Sequence, residues 1–156
     1  MKFLNKIILS DCLEGIKRMP DSSVDCCISS PPYWGLRDYG VDGQVGNETD
    51  FKEFVSKLIE LYSEIQRVLQ PTGTCFVNLG DTYNGTKQGN TETNKNPKLV
   101  TDSFKKEKVK TIQDKSLLMI PERFAIGMID AGWILRNQII WHKPNQMPQK
   151  ILWMRL

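Results

Sequence analysis

Apolar residues in the first thirty positions are spaced in a way that predicts a strand, a helix and a second strand. Residues 6–10 (KIILS) form a short apolar run typical of a strand, and residues 12–19 carry apolar side chains at helical spacing. A turn at residues 20–23 leads to residues 24–29 (VDCCIS), which lack polar alternation, as expected for a strand covered on both faces. This order of elements is typical of a parallel α/β sheet.

The strongest periodicity follows Asp50, which we predict to be the N-cap of a long helix. One face of residues 51–69 is apolar throughout, and Pro71 and Gly73 are expected to end the helix. Residues 74–79 (TCFVNL) then form the next buried strand.

Periodicity disappears between residue 81 and about residue 116, where Gly, Asn, Thr and Lys dominate. A stretch of this length inside a compact domain is usually either a functional loop or disordered. Order returns at residues 117–120, and Pro121 and Glu122 open a helix that runs to about Asp130. Residues 133–141 are predicted to form a further strand.

The amino-acid composition limits the classes of protein to which this chain can belong. Of the 156 residues, 40% are hydrophobic and 25% are charged, as in a single soluble globular domain. The chain has no apolar run of about twenty residues and no cleavable signal pattern, so we expect a cytoplasmic protein. Its four cysteines form no CxxC pair and its single histidine is distant from them, which argues against a zinc site and a disulfide framework. Cys26 and Cys27 are predicted to be buried as small hydrophobic residues.

The sequence SSPPYWG at residues 29–35 follows the second predicted strand directly. Ligands bind at the carboxyl ends of strands in open α/β sheets, so this motif lies where a site is expected. Two consecutive prolines fix the backbone and leave carbonyl oxygens free as acceptors. Methylation of an exocyclic base amine needs such acceptors, because the amine lone pair is delocalised into the ring. An adjacent aromatic ring can stack on a base swung out of a duplex and favour the cationic nitrogen.

Ser30, Pro31, Pro32 and Tyr33 resemble the catalytic tetrapeptide [DNS]PP[YFW] of the amino-directed DNA methyltransferases. The resemblance continues through SDCLEGIKRMPDSSVDCCISSPPYWGLRDYG, FVSKLIELYSEIQRVLQPTGTCFVNLGDTYNG and GWILRNQIIWHKPNQMP, and it covers nearly all of residues 6–148 except a lysine-rich loop. The motif-first order is similar to the permuted, beta-class arrangement of the family. The implied fold is α/β, a partial S-adenosylmethionine-dependent methyltransferase (Rossmann-like) sheet with helices on both faces.

The resemblance also implies roles for three groups of residues. The catalytic group is Ser30, Pro31, Pro32 and Tyr33. Contacts with the cofactor S-adenosylmethionine are implied for Asp11, Cys12, Ser29 and Ser30. Contacts with the target base or the DNA are implied for Trp34, Arg37, Asp81, Trp141, Lys143 and Asn145. The implied partner is double-stranded DNA, and serine in the first motif position favours cytosine N4 over adenine N6 as the target. Restriction-modification systems and phages both use such enzymes.

Several of these residues have structural alternatives. Asp11 suits a helix cap as well as a cofactor contact, and Trp34 suits packing beneath the motif. Arg37 suits either a phosphate contact or an ion pair with the neighbouring aspartate. Asp81 suits a turn at the end of its strand, and Trp141 suits the core.

The lysine-rich loop, residues 84–116, concentrates positive charge. Eight lysines and four acidic residues lie between Thr86 and Lys115, in a chain whose net charge is +3. Lysines interleaved with Asn, Thr and Gln suit contact with DNA phosphates. The alternative is a solvated loop with no role in binding.

The sequence departs from the family in lacking an FxGxGT-like turn, whose glycines let the backbone approach the cofactor. We therefore expect residues 1–148 to be the catalytic half of a truncated methyltransferase domain and residues 149–156 a divergent tail. The cofactor loop would come from a missing C-terminal half or a second chain. One alternative is a non-catalytic remnant that binds DNA but not cofactor, and another is an adaptor recognised through Pro-Pro-Tyr. Cytosine C5 chemistry is disfavoured because no Pro-Cys pair supplies a nucleophile.

Overall fold

The computed structural model describes residues 3–85, 108–142 and 144. Its elements follow in the order α1 (Cys12–Lys17), β1 (Val24–Ser29), α2 (Phe51–Val68), β2 (Leu69–Val77) and α3 (Ile120–Asp130). The mixed α/β class predicted from the sequence is confirmed, with a sheet of two parallel strands. No helix in these ranges is long and apolar enough to cross a membrane.

Helix α2 organises the core because one side of it is apolar from end to end. Asp50 caps its first turn, as predicted, by accepting a hydrogen bond from the backbone N of Lys52 at 2.9 Å. The buried side chains of this helix are Phe51, Phe54, Val55, Leu58, Tyr62, Ile65 and Val68. They pack against one face of the sheet and against α3.

Strands β1 and β2 pair in parallel, with Ile28 opposite Phe76. β2 begins at Leu69, earlier than the residue 74 predicted from the sequence. An irregularity in the register allows this early start, because it accommodates the stretch of β2 that contains Pro71 and Gly73. These two residues therefore lie inside the strand and not in a turn before it.

The sheet is covered on only one face by the described residues. Cys27 and Cys75 pack toward the helical core, whereas Ile28 is 80% exposed and Phe76 is 49% exposed on the opposite face. Neighbouring residues of a strand point to opposite faces, so both strands show the same division. The helix layer predicted for the second face is not found in the described ranges. Cys26 is consequently exposed there, and the prediction of its burial is wrong.

Helix α3 approaches α2 closely at a glycine. A Cβ added to Gly127 would overlap the side chain of Ile59, so glycine is what permits this contact. Nearby, the rings of Tyr62 and Phe124 meet edge to face with their centroids 5.2 Å apart. The predicted helix with Pro121 in its first turn is confirmed.

Two predicted strands are not formed. Residues 6–10 and 133–141 are irregular, and no described segment pairs with either. The side chains of Ile7 and Leu9 are fully exposed, and Ile140 is largely exposed. An apolar run becomes a strand only where a neighbouring strand accepts its hydrogen bonds, and that neighbour is not among the described residues. Both predictions are wrong for this reason.

Candidate functional site

The SPPY motif (residues 30–33) leaves the carboxyl end of β1 and lines a pocket of 270 Å³. The pocket is also lined by Leu36, Arg37 and Tyr39, which follow the motif along the chain. Drug-sized ligands occupy pockets of about 300–1,000 Å³, so this volume suits a smaller molecule or a single base.

Two oxygen acceptors of the motif are uncommitted. In the part of the chain that the structure describes, neither Ser30 Oγ nor the carbonyl oxygen of Pro31 accepts a hydrogen bond. Ser30 is exposed, whereas the ring of Pro31 is buried and holds the loop in place. The pocket therefore offers acceptor oxygens to a bound amine.

Trp34 supports the motif from below. Its side chain is only 3% exposed, its Nε1 donates to the backbone O of Glu48 at 2.8 Å, and its ring meets Phe51 edge to face. The structure thus places Trp34 in the core and not on the pocket, which corresponds to the packing alternative. The core location follows from the large apolar area of the indole and the partner found for its N–H.

A segment around Gly46 holds the other side of the motif. Gly46 has φ +101°, and its carbonyl accepts from the backbone N of Gly35 at 2.6 Å. A Cβ at Gly46 would lie 3.2 Å from the carbonyl oxygen of Tyr33, so a larger residue would both strain the backbone and crowd the motif. The buried carboxylate of Glu48 accepts from Gly46 N at 2.8 Å and pairs with Lys57 at 3.3 Å. These contacts fix the loop between β1 and α2.

The ring of Tyr33 lies directly against the backbone of Gly80, which follows β2. A Cβ at Gly80 would come within 2.8 and 2.9 Å of two carbon atoms of that ring. Only glycine leaves room for the ring in this position. The end of β2 therefore helps to set where the motif's aromatic side chain stands.

Ser29 is tied to α2 by its side chain. Its Oγ lies 2.6 Å from the hydroxyl of Tyr62, which is almost fully buried. Burial raises the pKa of Tyr62 to about 12, so the phenol stays protonated and keeps this hydrogen bond at neutral pH. The Ser29 hydroxyl is engaged within the fold and its carbonyl accepts from Asn78 N at 2.9 Å, so what Ser29 can still offer a cofactor is the second lone pair of that carbonyl.

The carboxylate of Asp81 caps the start of α3. Oδ1 accepts from the backbone N of Thr82 at 2.8 Å and of Ile120 at 3.0 Å, and Oδ2 accepts from Met119 N at 3.0 Å. A carboxylate at a helix N-terminus satisfies free N–H groups and interacts favourably with the helix dipole. Asp81 thus joins the end of β2 to α3 and corresponds to the structural alternative, because neither oxygen is left uncommitted toward the pocket.

Asn84 brings the two ends of the lysine-rich loop together. The residue is 2% exposed, and its amide donates to the carbonyl oxygens of Val109 and Ile112 at 3.0 and 2.6 Å. Its Oδ1 accepts from Val109 N at 3.0 Å. The loop therefore leaves and re-enters the fold at one place, while residues 86–107 lie outside the described part of the chain.

Asp11 caps α1, with Oδ1 accepting from Glu14 N at 3.1 Å. Cys12 follows it as the first residue of the helix and is exposed. Arg37 makes no ion pair within the described ranges, because the neighbouring Asp38 instead accepts from Gly40 N at 2.7 Å. The guanidinium is therefore available at the pocket wall.

The third group of predicted residues is only partly described. Trp141 is 73% exposed and does not belong to the core or line the pocket. Its exposure follows from the missing partner for residues 133–141. Lys143 and Asn145 lie outside the described residues.

Sequence patterns alone did not point to several residues that shape the site: Tyr39, Gln44, Gly46, Tyr62 and Gly80. Tyr39 lies within the segment that carries the family resemblance, and Tyr62 lies on the apolar face of α2, so both had a local signal. The two glycines and Gln44 act through contacts with loop backbone or with residues distant along the chain. The hydrophobic periodicity of the sequence does not predict such contacts.

A pocket beside a Pro-Pro-Tyr motif at the carboxyl end of a parallel strand defines a partial methyltransferase-type α/β domain. Residues 24–153 match the family model N6_N4_Mtase, described as DNA methylase. The chain belongs to this family.

Curated relatives match over most of the chain. It is 39% identical to the Type II methyltransferase M.Cfr9I of Citrobacter freundii, over 90% of this chain and 47% of that protein. It is 36% identical to M.SmaI of Serratia marcescens, over 94% of this chain and 50% of that protein. The match to M.SfiI of Streptomyces fimbriatus is 33% identical and covers 93% of this chain and 32% of that protein. The chain spans about half the length of the first two relatives.

Proposed function

We propose that this chain forms the catalytic part of a DNA methyltransferase that methylates an exocyclic amine of a base swung out of the duplex. The observation that carries the proposal is the pocket lined by Ser30, Pro31 and Tyr33, in which Ser30 Oγ and the Pro31 carbonyl accept no hydrogen bond from the described residues. Residues 1–148 act as this catalytic half, and residues 149–156 are a divergent tail. Membership of the DNA methylase family and the Type II methyltransferase names of the relatives support the reaction class.

The motif residues act on the amine in two ways. Ser30 Oγ and the Pro31 carbonyl accept hydrogen bonds from the NH₂ group and hold it so that its lone pair points away from the ring plane. As the nitrogen gains a methyl group it becomes cationic, and the face of the Tyr33 ring favours that charge. The nitrogen then loses one proton to solvent. Because the rigid prolines fix these acceptors before the base arrives, little reorganisation is needed during the reaction.

S-adenosylmethionine would supply an electrophilic methyl group bound to a sulfonium sulfur. The fit of the chain to this cofactor is partial. Among the described residues, Oδ2 of Asp11 accepts no hydrogen bond, so it can receive one from a hydroxyl or ammonium group while Oδ1 caps α1. Asp11, Cys12 and the backbone of Ser29 and Ser30 would hold the cofactor on this side.

Several finer assignments belong to the same proposal. Cytosine N4 is favoured over adenine N6, because serine occupies the first position of the motif. Double-stranded DNA is the partner, with Arg37 and the lysine-rich loop contacting phosphates. Lys143 and Asn145 are proposed to contact the target base or the DNA, and the protein is proposed to act in the cytoplasm within a restriction-modification system.

A second candidate is a DNA-binding chain that binds no cofactor. The bare face of the sheet at Ile28 and Phe76 favours it, because a methyltransferase-type sheet is expected to be covered on both faces. The two candidates make different predictions about S-adenosylmethionine. The methyltransferase binds it saturably, whereas the second candidate binds only DNA, with a steep salt dependence.

Calorimetric titration with S-adenosylmethionine, followed by transfer of tritiated methyl groups to unmethylated plasmid DNA, tests the proposal. We expect saturable binding and transfer by the wild type, with a second copy of the chain standing in for the FxGxGT-like loop that this sequence lacks. Ser30→Ala and Tyr33→Ala should lower kcat by at least about 10²-fold if both groups act in the transition state. Val41→Ala, which changes an exposed side chain on the neighbouring loop, is the matched control and should transfer at the wild-type rate. A folded wild-type chain that binds DNA but neither binds the cofactor nor transfers methyl groups would establish the second candidate instead.

A further inference from the structure

The motif pocket is lined by a second aromatic residue that the SPPY tetrapeptide does not supply. Tyr39 lines the pocket together with Leu36 and Arg37, and these three residues are called the far wall because they follow the motif along the chain. Its side chain is 59% exposed, so packing in the core does not account for an aromatic residue at this position. A ring beside an acceptor-lined pocket of 270 Å³ can offer its face to a flat ligand.

The backbone beneath Tyr39 is held by a single side chain. Oε1 of Gln44 accepts from the backbone N of Tyr39 at 2.7 Å, and Nε2 of the same amide donates to the carbonyl oxygen of Arg37 at 2.8 Å. Nε2 also reaches Oδ1 of Asn47 at 3.2 Å. Gln44 therefore bridges two of the three residues of the far wall, Arg37 and Tyr39, and it does so without using the Tyr39 ring.

The turn between these residues is fixed by local contacts as well. Asp38 accepts from Gly40 N at 2.7 Å, and Gly40 and Gly43 have φ of +71° and +75°, which glycine adopts at little cost. The result is an exposed ring on a braced loop. Because the backbone that carries the ring is already fixed, less conformational entropy is lost when a ligand stacks on the ring than on a flexible loop.

Arg37 adds a charge next to this ring. It makes no ion pair in the described part of the chain, so its guanidinium can meet a phosphate that flanks an extruded nucleotide. The far wall thus combines a stacking surface with a cation, which are the two features that single-stranded nucleic acid requires of a binding site.

We propose that Tyr39 is a base-contacting residue, its ring forming the far wall of the pocket against which the extruded base lies, with Gln44 as the positioning residue that holds it. This inference rests on the proposed function, because it assumes that the pocket receives a base. It adds a second aromatic contact to that of Tyr33 and assigns Arg37 to the phosphate of the same nucleotide.

Binding of fluorescently labelled oligonucleotides to the full chain tests the inference without requiring catalysis. The probes are a single-stranded oligodeoxycytidylate and an oligonucleotide of equal length with abasic sites, which carries the same phosphates and no bases. We expect the wild type to bind the base-containing probe more tightly. Tyr39→Ala should reduce this preference by about 5- to 100-fold, the range that stacking on one aromatic ring supports. Tyr39→Phe keeps the ring and should retain the preference within about 2-fold.

Control variants separate stacking from other effects. Val41→Ala, on the same loop, should bind both probes as the wild type does. Gln44→Ala should lower the preference, because it releases the backbone of Tyr39 and leaves the ring unchanged. Arg37→Ala should weaken binding of both probes equally and lower the salt dependence, as expected for a phosphate contact. The unfolding midpoint of Tyr39→Ala should match that of the wild type because the ring is exposed.

Failure of the inference is distinguishable from failure of the proposed function. If the wild type prefers the base-containing probe and transfers methyl groups, and Tyr39→Ala does both equally well, the role of Tyr39 is refuted and the methyltransferase proposal stands. If the wild type shows neither base preference nor methyl transfer, both are refuted. An equal loss for both probes in Tyr39→Ala would reassign the residue to phosphate binding and refute stacking.

Discussion

Replacing Gly80 by alanine should displace the Tyr33 ring while leaving the fold intact. The added Cβ would stand 2.8 and 2.9 Å from two carbon atoms of the Tyr33 ring. Ordinary contacts between carbon atoms are about 3.5–4.0 Å, so the ring must move by roughly 0.7 to 1 Å. Gly80 does not have a positive φ, so alanine suits its backbone and the clash is the main perturbation.

The size of the expected effect follows from where the ring can go. Tyr33 is half-buried and can shift toward the pocket, so the free energy of unfolding should fall by at most about 1 kcal/mol. A misplacement of about 1 Å can cost about 10²-fold in rate, and we expect kcat for methyl transfer to fall roughly 10- to 100-fold. Preference for a base-containing over an abasic oligonucleotide should fall as well, which gives a readout independent of the cofactor.

A matched glycine variant provides the control. In α1, a Cβ at Gly15 would meet the Cβ of Ser10 at 3.8 Å, an ordinary contact, so Gly15→Ala should leave kcat unchanged. If Gly80→Ala kept the wild-type kcat and base preference, the idea that Gly80 positions the Tyr33 ring would be refuted. A fall of more than about 3 kcal/mol in the free energy of unfolding would also refute this idea, because it would mean that the Tyr33 ring cannot move away from the added Cβ.

Three further substitutions test the packing described above by urea denaturation. Tyr62→Phe removes the hydrogen bond to Ser29 and should lower the free energy of unfolding by about 0.5–1.5 kcal/mol, and an unchanged value would mean that the bond does not hold the end of β1. Leu58→Ala leaves a cavity at a fully buried position and should cost about 2–5 kcal/mol, so a cost below 1 kcal/mol would contradict its place in the core. Asp81→Ala deprives three backbone N–H groups of their acceptor and should cost about 1–2 kcal/mol, with a lower unfolding midpoint than the wild type. Full stability in that variant would show that α3 does not depend on this cap.

Elements with a strong local pattern could be predicted from the sequence. β1 has the predicted bounds, and α2 begins after the predicted cap at Asp50 and ends within one residue of the predicted position. The SPPY motif lies at the carboxyl end of its strand, as expected. These predictions succeed because periodicity, capping and proline chemistry depend on residues close together in the chain.

The same local patterns gave wrong predictions where strand formation or burial depends on a segment distant along the chain. Residues 6–10 and 133–141 carry the apolar runs of strands, yet they lie unpaired in the described structure. Ile28 and Phe76 are apolar strand residues of the kind that a sheet covered on both faces would bury, yet both remain exposed. A strand or a buried face exists only when another part of the polypeptide covers it, and the apolar run itself does not say which part that is.

The sequence by itself therefore determined the class of fold, the long helix and the position of the SPPY motif. Tertiary structure alone decided what each motif residue touches: Trp34 enters the core, Asp81 caps α3, and Gly80 lies under the Tyr33 ring. It also brought Tyr39 and the motif together in the lining of one pocket. The physical reason is that these contacts join residues that are apart in the sequence, and their geometry depends on how α2, β2 and α3 pack together.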